Sequence, residues 1–219
     1  MVEAILKVKY SLVAFTSGVL PPIVWLLLLQ GGDDSAAIIF LRLTLSCLIS
    51  LIFGRALFPD FFDVWWRAAL IGSGFSLGLY LITSFDNLRP FGAYACILFS
   101  FHYLEYAVTG LTNPSNLKTD SFLLNHSPQY WIAAIASWAE HLVELYFFPS
   151  LKLATYIYGL GIAVCLAGEI LRKTAMFHAG RSFSHIVQST KKEDHILVTH
   201  GVFAYMRRRY LCSFHFSVA

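Results

Sequence analysis

Apolar runs long enough to cross a bilayer recur along this chain, and nothing else constrains its fold so strongly. A helix of about 20 residues spans roughly 30 Å, the thickness of a bilayer's hydrocarbon core. The apolar pattern places six such spans, at about 10–29, 36–58, 68–83, 91–111, 128–148 and 153–171. Composition agrees: 57% of the 219 residues are hydrophobic and 13% are charged. A soluble domain carries about 25% charged residues. Without water to satisfy an exposed backbone, spans must be helical or close into a barrel, and runs of this length favour helices. The expected fold class is therefore all-α: a polytopic helical membrane protein with about six transmembrane helices plus a cytosolic amphipathic segment. The expected division is a hairpin at 1–63, a four-helix transmembrane core at 64–175 and a cytosolic segment at 176–219.

Within the spans, Pro21-Pro22 should kink the first, and Arg42 lies inside the second, where it could snorkel or pair. Trp65-Trp66-Arg67 reads as an interfacial marker. Gly74 and Gly78 form a G-x-x-x-G pair suited to close helix packing. Gly159 and Gly161 lie inside a span, not between a strand and a helix, so they too read as a packing feature and not as a dinucleotide fingerprint. Six spans put both termini on one side. With the N-terminus cytosolic, Lys7, Lys9, Arg55, Arg67, Lys118, Arg172 and Lys173 face the cytosol, against Arg89 and Lys152 opposite. The net charge of +3, with no basic stripe interleaved with aromatics before the C-terminus, points away from nucleic acid. Cys47, Cys96, Cys165 and Cys212 form no C-x-x-C pair and read as free thiols.

Ionisable residues inside the spans are costly and need partners. His102 and Glu105 are three apart on the fourth span; Glu140, His141 and Glu144 share the fifth; Glu169 closes the sixth. H-x-x-E and E-H-x-x-E could supply metal ligands, pair between helices, or line a substrate or cofactor cavity. No H-x-x-H-H box is present, so structural pairing is favoured over a metal, with Arg42 a candidate partner. Beyond the last span, Met176, Phe177, Phe183, Ile186 and Val187 recur at roughly helical spacing, interrupted by Gly180. The sixth helix should overrun the membrane, and a second amphipathic segment should lie along its surface.

The most specific stretch follows. His195-Ile196-Leu197-Val198-Thr199-His200-Gly201-Val202-Phe203, continuing to Arg207, resembles the pattern H-x-L-V-T-x-G-x-(Y/F)-x-x-x-R of the isoprenylcysteine carboxyl methyltransferase family. The stretch from Glu169 to Phe177, that from Phe183 to Gln188, and the helix containing Phe101 to Tyr106 resemble the same family, so the likeness runs from the double-proline span to Arg207. It implies methyl transfer from S-adenosylmethionine to the C-terminal carboxylate of prenylated, CaaX-processed proteins at the endoplasmic reticulum membrane. By resemblance, Gln188, the backbone of His195, Ile196, Leu197 and Val198, and Phe203 contact the cofactor; no metal is implied. A carboxylate nucleophile is already ionised at neutral pH and needs no general base. The site must hold it in line with the methyl group and exclude water.

The family's H-P-x-Y-x-G segment is replaced by Arg208-Arg209-Tyr210-Leu211-Cys212, and its later substrate arginine has no counterpart before Ala219. The catalytic residues are therefore not identified, and the expectation is a chain of weak or no activity. Arg207-Arg208-Arg209 suits anionic headgroups or plain solvation equally. Two other classes stay open: a non-catalytic membrane isoform or regulatory partner, and a relative of the sterol reductases or phospholipid methyltransferases.

Overall fold

The computed structural model describes residues 2–28, 36–125, 127–152, 154–185 and 196–205. These form eight helices: α1 (Val2–Leu28), α2 (Ala36–Leu57), α3 (Phe62–Ser84), α4 (Arg89–Thr112), α5 (Pro128–Phe147), α6 (Pro149–Lys152), α7 (Thr155–Ala179) and α8 (Val202–Tyr205). Six of the eight have 20 or more residues, and they fall on the six expected spans. No strand occurs among the described residues.

Local chemistry sets the boundaries. Pro59 and Pro114 open short 3-10 turns, and Pro90 and Pro128 occupy first-turn positions where their missing N–H is no loss. Ser127 caps α5 by accepting a hydrogen bond from the Tyr130 N–H at 3.2 Å. α1 runs without a break through Pro21 and Pro22. Hydroxyls inside the helices are satisfied locally: Ser11, Ser73, Thr44, Thr83 and Thr112 donate to carbonyls three or four residues back.

α3 is the centre of the bundle, packed between α1 and α4, with α2 against α1 and α3. Glycines permit the approach. A Cβ on Gly72 would collide with the backbone carbonyl of Phe15, and one on Gly18 with that of Ala69. Across the α3–α4 crossing, a Cβ on Gly92 would lie 2.6 Å from the Gly78 carbonyl oxygen. Gly78 thus packs as expected, whereas the space above Gly74 is filled by the Phe99 ring. The core holds Ala14, Val64, Trp65, Ala68, Ala69, Ile71, Tyr103, Tyr106 and Phe122.

Two sequence expectations change. Trp65 is not an interfacial residue but fully buried, with its indole N–H donating to the Ser50 carbonyl at 2.9 Å and its ring seated over Gly54. The helix begins earlier than the apolar run does, and this turns Trp65 inward. Gly159 and Gly161, expected at a packing contact, face open space: a Cβ at either, or at Gly168, meets nothing within 4 Å among the described residues.

The outside of the bundle is apolar. Phe40, Ile52, Ile132, Leu160 and Ile170 are each 68–72% exposed. Such a surface is at home only against lipid tails. Ala37–Leu57 is long and apolar enough to cross a membrane on its own composition. The fold is that of a helical membrane protein.

Candidate functional site

Glu105 is the most deeply placed charge in the described structure, with no exposed surface. It lies on α4 because the helix period puts Phe101 and Glu105 on the side that meets α7. Its carboxylate takes a bidentate fork from Arg172, Nε to Oε1 at 2.6 Å and the second guanidinium nitrogen to Oε2 at 3.0 Å. Lys173 Nζ donates to Oε1 at 2.5 Å, and His185 Nδ1 lies 3.4 Å from Oε2. Glu169, four residues before Lys173, adds a contact to it at 3.3 Å. Both cations also lie near the face of Phe101, at 5.5 Å and 4.8 Å from its centroid. The favoured structural pairing of Glu105 therefore exists, but with Arg172, Lys173 and His185 in place of Arg42.

His102 does a separate job. Its Nδ1–H donates to the Phe122 carbonyl at 2.9 Å, which leaves Nε2 to accept from the Tyr130 hydroxyl at 3.1 Å. It ties α4 to the following loop and to α5. Glu140, His141 and Glu144 line a cavity of about 300 Å³ with Phe91, Tyr94 and Trp138. Tyr94 and Glu105 are separated by about 16 Å along α4, so the two acidic-histidine motifs do not converge.

The chain beyond α7 folds back onto α4. α7 overruns its apolar run as expected and ends at Gly180, whose φ of 51° and ψ of −124° suit glycine alone. After it the described residues form a 3-10 turn (Gly180–Ser182) and a short non-helical stretch; Ile186 and Val187 of the expected amphipathic segment lie outside the described residues. Asn113, at the end of α4, donates both amide hydrogens, to the carbonyls of Arg181 at 3.0 Å and Phe183 at 2.9 Å. Thr109 and His185 Nε2 are joined at 3.0 Å. Backbone carbonyls that a helix would use internally are taken by these side chains, and that favours the extended path.

Residues 196–205 then lie beside the end of α7. The Ile196 N–H donates to the Ser182 hydroxyl at 3.2 Å. Gly201 has φ of 62°, and a Cβ there would collide with the His178 ring. The glycine of the L-V-T-x-G pattern is thus required twice over. His178 is itself held by a bond to the Thr174 carbonyl at 2.7 Å, and its ring centre lies 6.0 Å from that of His200. Of the expected cofactor residues, Ile196 and Leu197 are 77% and 58% exposed, while Val198 and Phe203 are partly buried. Gln188 and His195 lie outside the described residues. The stretch 196–199 has no regular secondary structure, and Leu197 and Val198 make no backbone hydrogen bond to another described residue. Unpaired backbone beside two imidazoles suits a polar, hydrogen-bonding small molecule.

Comparison with known proteins converges on one family. Residues 160–219 match the family model described as the isoprenylcysteine carboxyl methyltransferase family. Similar curated proteins are named protein-S-isoprenylcysteine O-methyltransferase. That of Tribolium castaneum is 46% identical over 154 residues, covering 69% of this chain and 55% of the relative. That of Xenopus laevis is 41% identical over 192 residues, covering 87% and 65%. That of Homo sapiens is 44% identical over 161 residues, covering 73% and 57%. The chain thus spans roughly half to two thirds of the length of these relatives. A solved structure described as the eukaryotic intramembrane Ras methyltransferase, isoprenylcysteine carboxyl methyltransferase, superposes with a TM-score of 0.88 at 37% identity. The match covers 96% of this chain and 77% of that one.

Proposed function

Because the chain belongs to the isoprenylcysteine carboxyl methyltransferase family, we propose that it binds S-adenosylmethionine and serves methylation of the C-terminal carboxylate of prenylated proteins. When bound, the donor supplies an electrophilic methyl group on a sulfonium. The observation that carries this reading is the fold-back of the chain beyond α7. It presents the backbone of Ile196, Leu197 and Val198 beside His178 and His200, with the Leu197 and Val198 groups bonded to no other described residue. Those backbone groups, with Phe203, Gln188 and His195, would hold the donor. His178, held by the Thr174 carbonyl, and Gly201, seated against it, fix the direction from which the 196–199 stretch approaches.

Orientation follows from charge. Lys7, Lys9, Arg55, Arg67, Lys118, Arg172 and Lys173 gather at one side, so both termini and the donor segment belong in the cytosol, where a soluble donor is supplied. The endoplasmic reticulum is the expected membrane. The test is to supply the 219-residue protein in lipid with methyl-labelled S-adenosylmethionine and a farnesylcysteine analogue. The expected result is saturable donor binding with, at most, weak label on the analogue, base-labile as a methyl ester is. Absence of both label and saturable donor binding would overturn the reading.

A further inference from the structure

Glu105, Thr109 and Asn113 are spaced by four, so one face of α4 presents them as a ladder. All three are buried, at 0%, 2% and 0% exposure. Together they reach the end of α7 and the chain that returns from it. Glu105 takes Arg172, Lys173 and His185; Thr109 takes His185; Asn113 takes the carbonyls of Arg181 and Phe183. Asn113 is itself oriented, because its carbonyl oxygen accepts from the Ser115 hydroxyl at 2.9 Å. Buried polar groups are poor packing material, and apolar residues at these three positions would bury more cheaply. What polar groups supply instead is register: a fork to a guanidinium or two bonds to alternate carbonyls are made at one alignment only. Along the first half of α7, by contrast, a Cβ on Gly159 or Gly161 would meet no described residue within 4 Å, and Tyr156, Leu160 and Val164 are exposed.

We propose that this ladder is the device that positions the donor-binding segment, and that Glu105, Thr109 and Asn113 are positioning residues which touch neither donor nor acceptor. The proposal rests on the donor reading above. It goes further in assigning the alignment of residues 178–185 and 196–205 to three buried groups on α4 and its C-cap.

The experiment uses the full chain in lipid nanodiscs with Thr109→Val, Asn113→Ala and Glu105→Gln. Three quantities are read for each: amide exchange along the chain, affinity for S-adenosylmethionine, and affinity for a farnesylcysteine analogue. Expected are at least tenfold faster exchange at 178–185 and 196–205, at least tenfold weaker donor binding, and analogue binding within threefold of the parent. In Thr109→Val and Asn113→Ala, exchange in α1 and α3 should stay unchanged. Unaltered exchange at 178–205 in both Thr109→Val and Asn113→Ala would overturn the proposal. So would faster exchange spread over α1 and α3, since that marks ordinary structural support. If the parent chain binds no S-adenosylmethionine, the donor reading fails, while the exchange pattern still decides whether the ladder aligns the segment.

Discussion

Gly72 and Gly161 both sit inside long helices, yet a side chain would be felt at only one of them. Gly72 faces the Phe15 carbonyl across the α1–α3 crossing, and Gly161 faces open space. Gly72→Leu should destabilise the bundle by about 1–3 kcal/mol or more, the usual cost of overpacking. Gly161→Leu should stay within about 0.5 kcal/mol of the parent. Unfolding in detergent, followed by circular dichroism, compares the two. Gly201 is a third case, needed both for its left-handed φ and for its contact with His178. Gly201→Ala should leave the unfolding midpoint of the bundle nearly unchanged and weaken donor binding by about tenfold, or about 1.4 kcal/mol. From sequence alone these glycines look alike. Only the neighbouring helix separates a close approach from an exposed position.

At the level of the helices, the link between α4 and α7 is electrostatic. Breaking a buried pair leaves a charge without compensation, so Glu105→Gln should cost about 3–5 kcal/mol. Replacing Glu105, Arg172 and Lys173 together by leucine should recover most of that stability, because apolar packing often matches a buried ion cluster. Donor binding should not recover with it. Unfolding and binding measured on the same preparations test both halves. The six long helices were legible in the sequence because polar turns and prolines bound six apolar-rich stretches, although among the described residues Ala37–Leu57 alone is apolar enough to span by composition. The pairing of Glu105 was legible only as a need. The run containing Glu105 does not say which cation answers it, and Arg42, inside a neighbouring span, looked as suitable as Arg172. The spacing of Glu105, Thr109 and Asn113 was the available signal for the ladder. Thr109 and Asn113 passed as ordinary polar residues near a helix end. The amphipathic period after Gly180 did not show the path of the chain there, because a periodicity takes no account of the carbonyls of Arg181 and Phe183 captured by Asn113. Trp65 was misread because aromatic residues at a span's edge normally mark the interface, and only Gly54 opposite shows room for the ring inside.

Taken whole, the molecule joins a lipid-facing bundle to a polar segment folded against one end of it. If the lysine and arginine asymmetry sets the orientation, an Asp33→Cys variant should react with a membrane-impermeant thiol reagent only from the side opposite the termini. Labelling from the cytosolic side of intact vesicles would contradict the six-span arrangement with cytosolic termini. The account stands or falls, however, on whether the returning segment holds the methyl donor. Equilibrium binding of labelled S-adenosylmethionine to the purified 219-residue protein in nanodiscs decides this. Saturable binding, displaced by S-adenosylhomocysteine and weakened at least tenfold by Gly201→Ala, is the expected result. Donor binding that is not saturable up to millimolar concentration, or that Gly201→Ala leaves untouched, would contradict it.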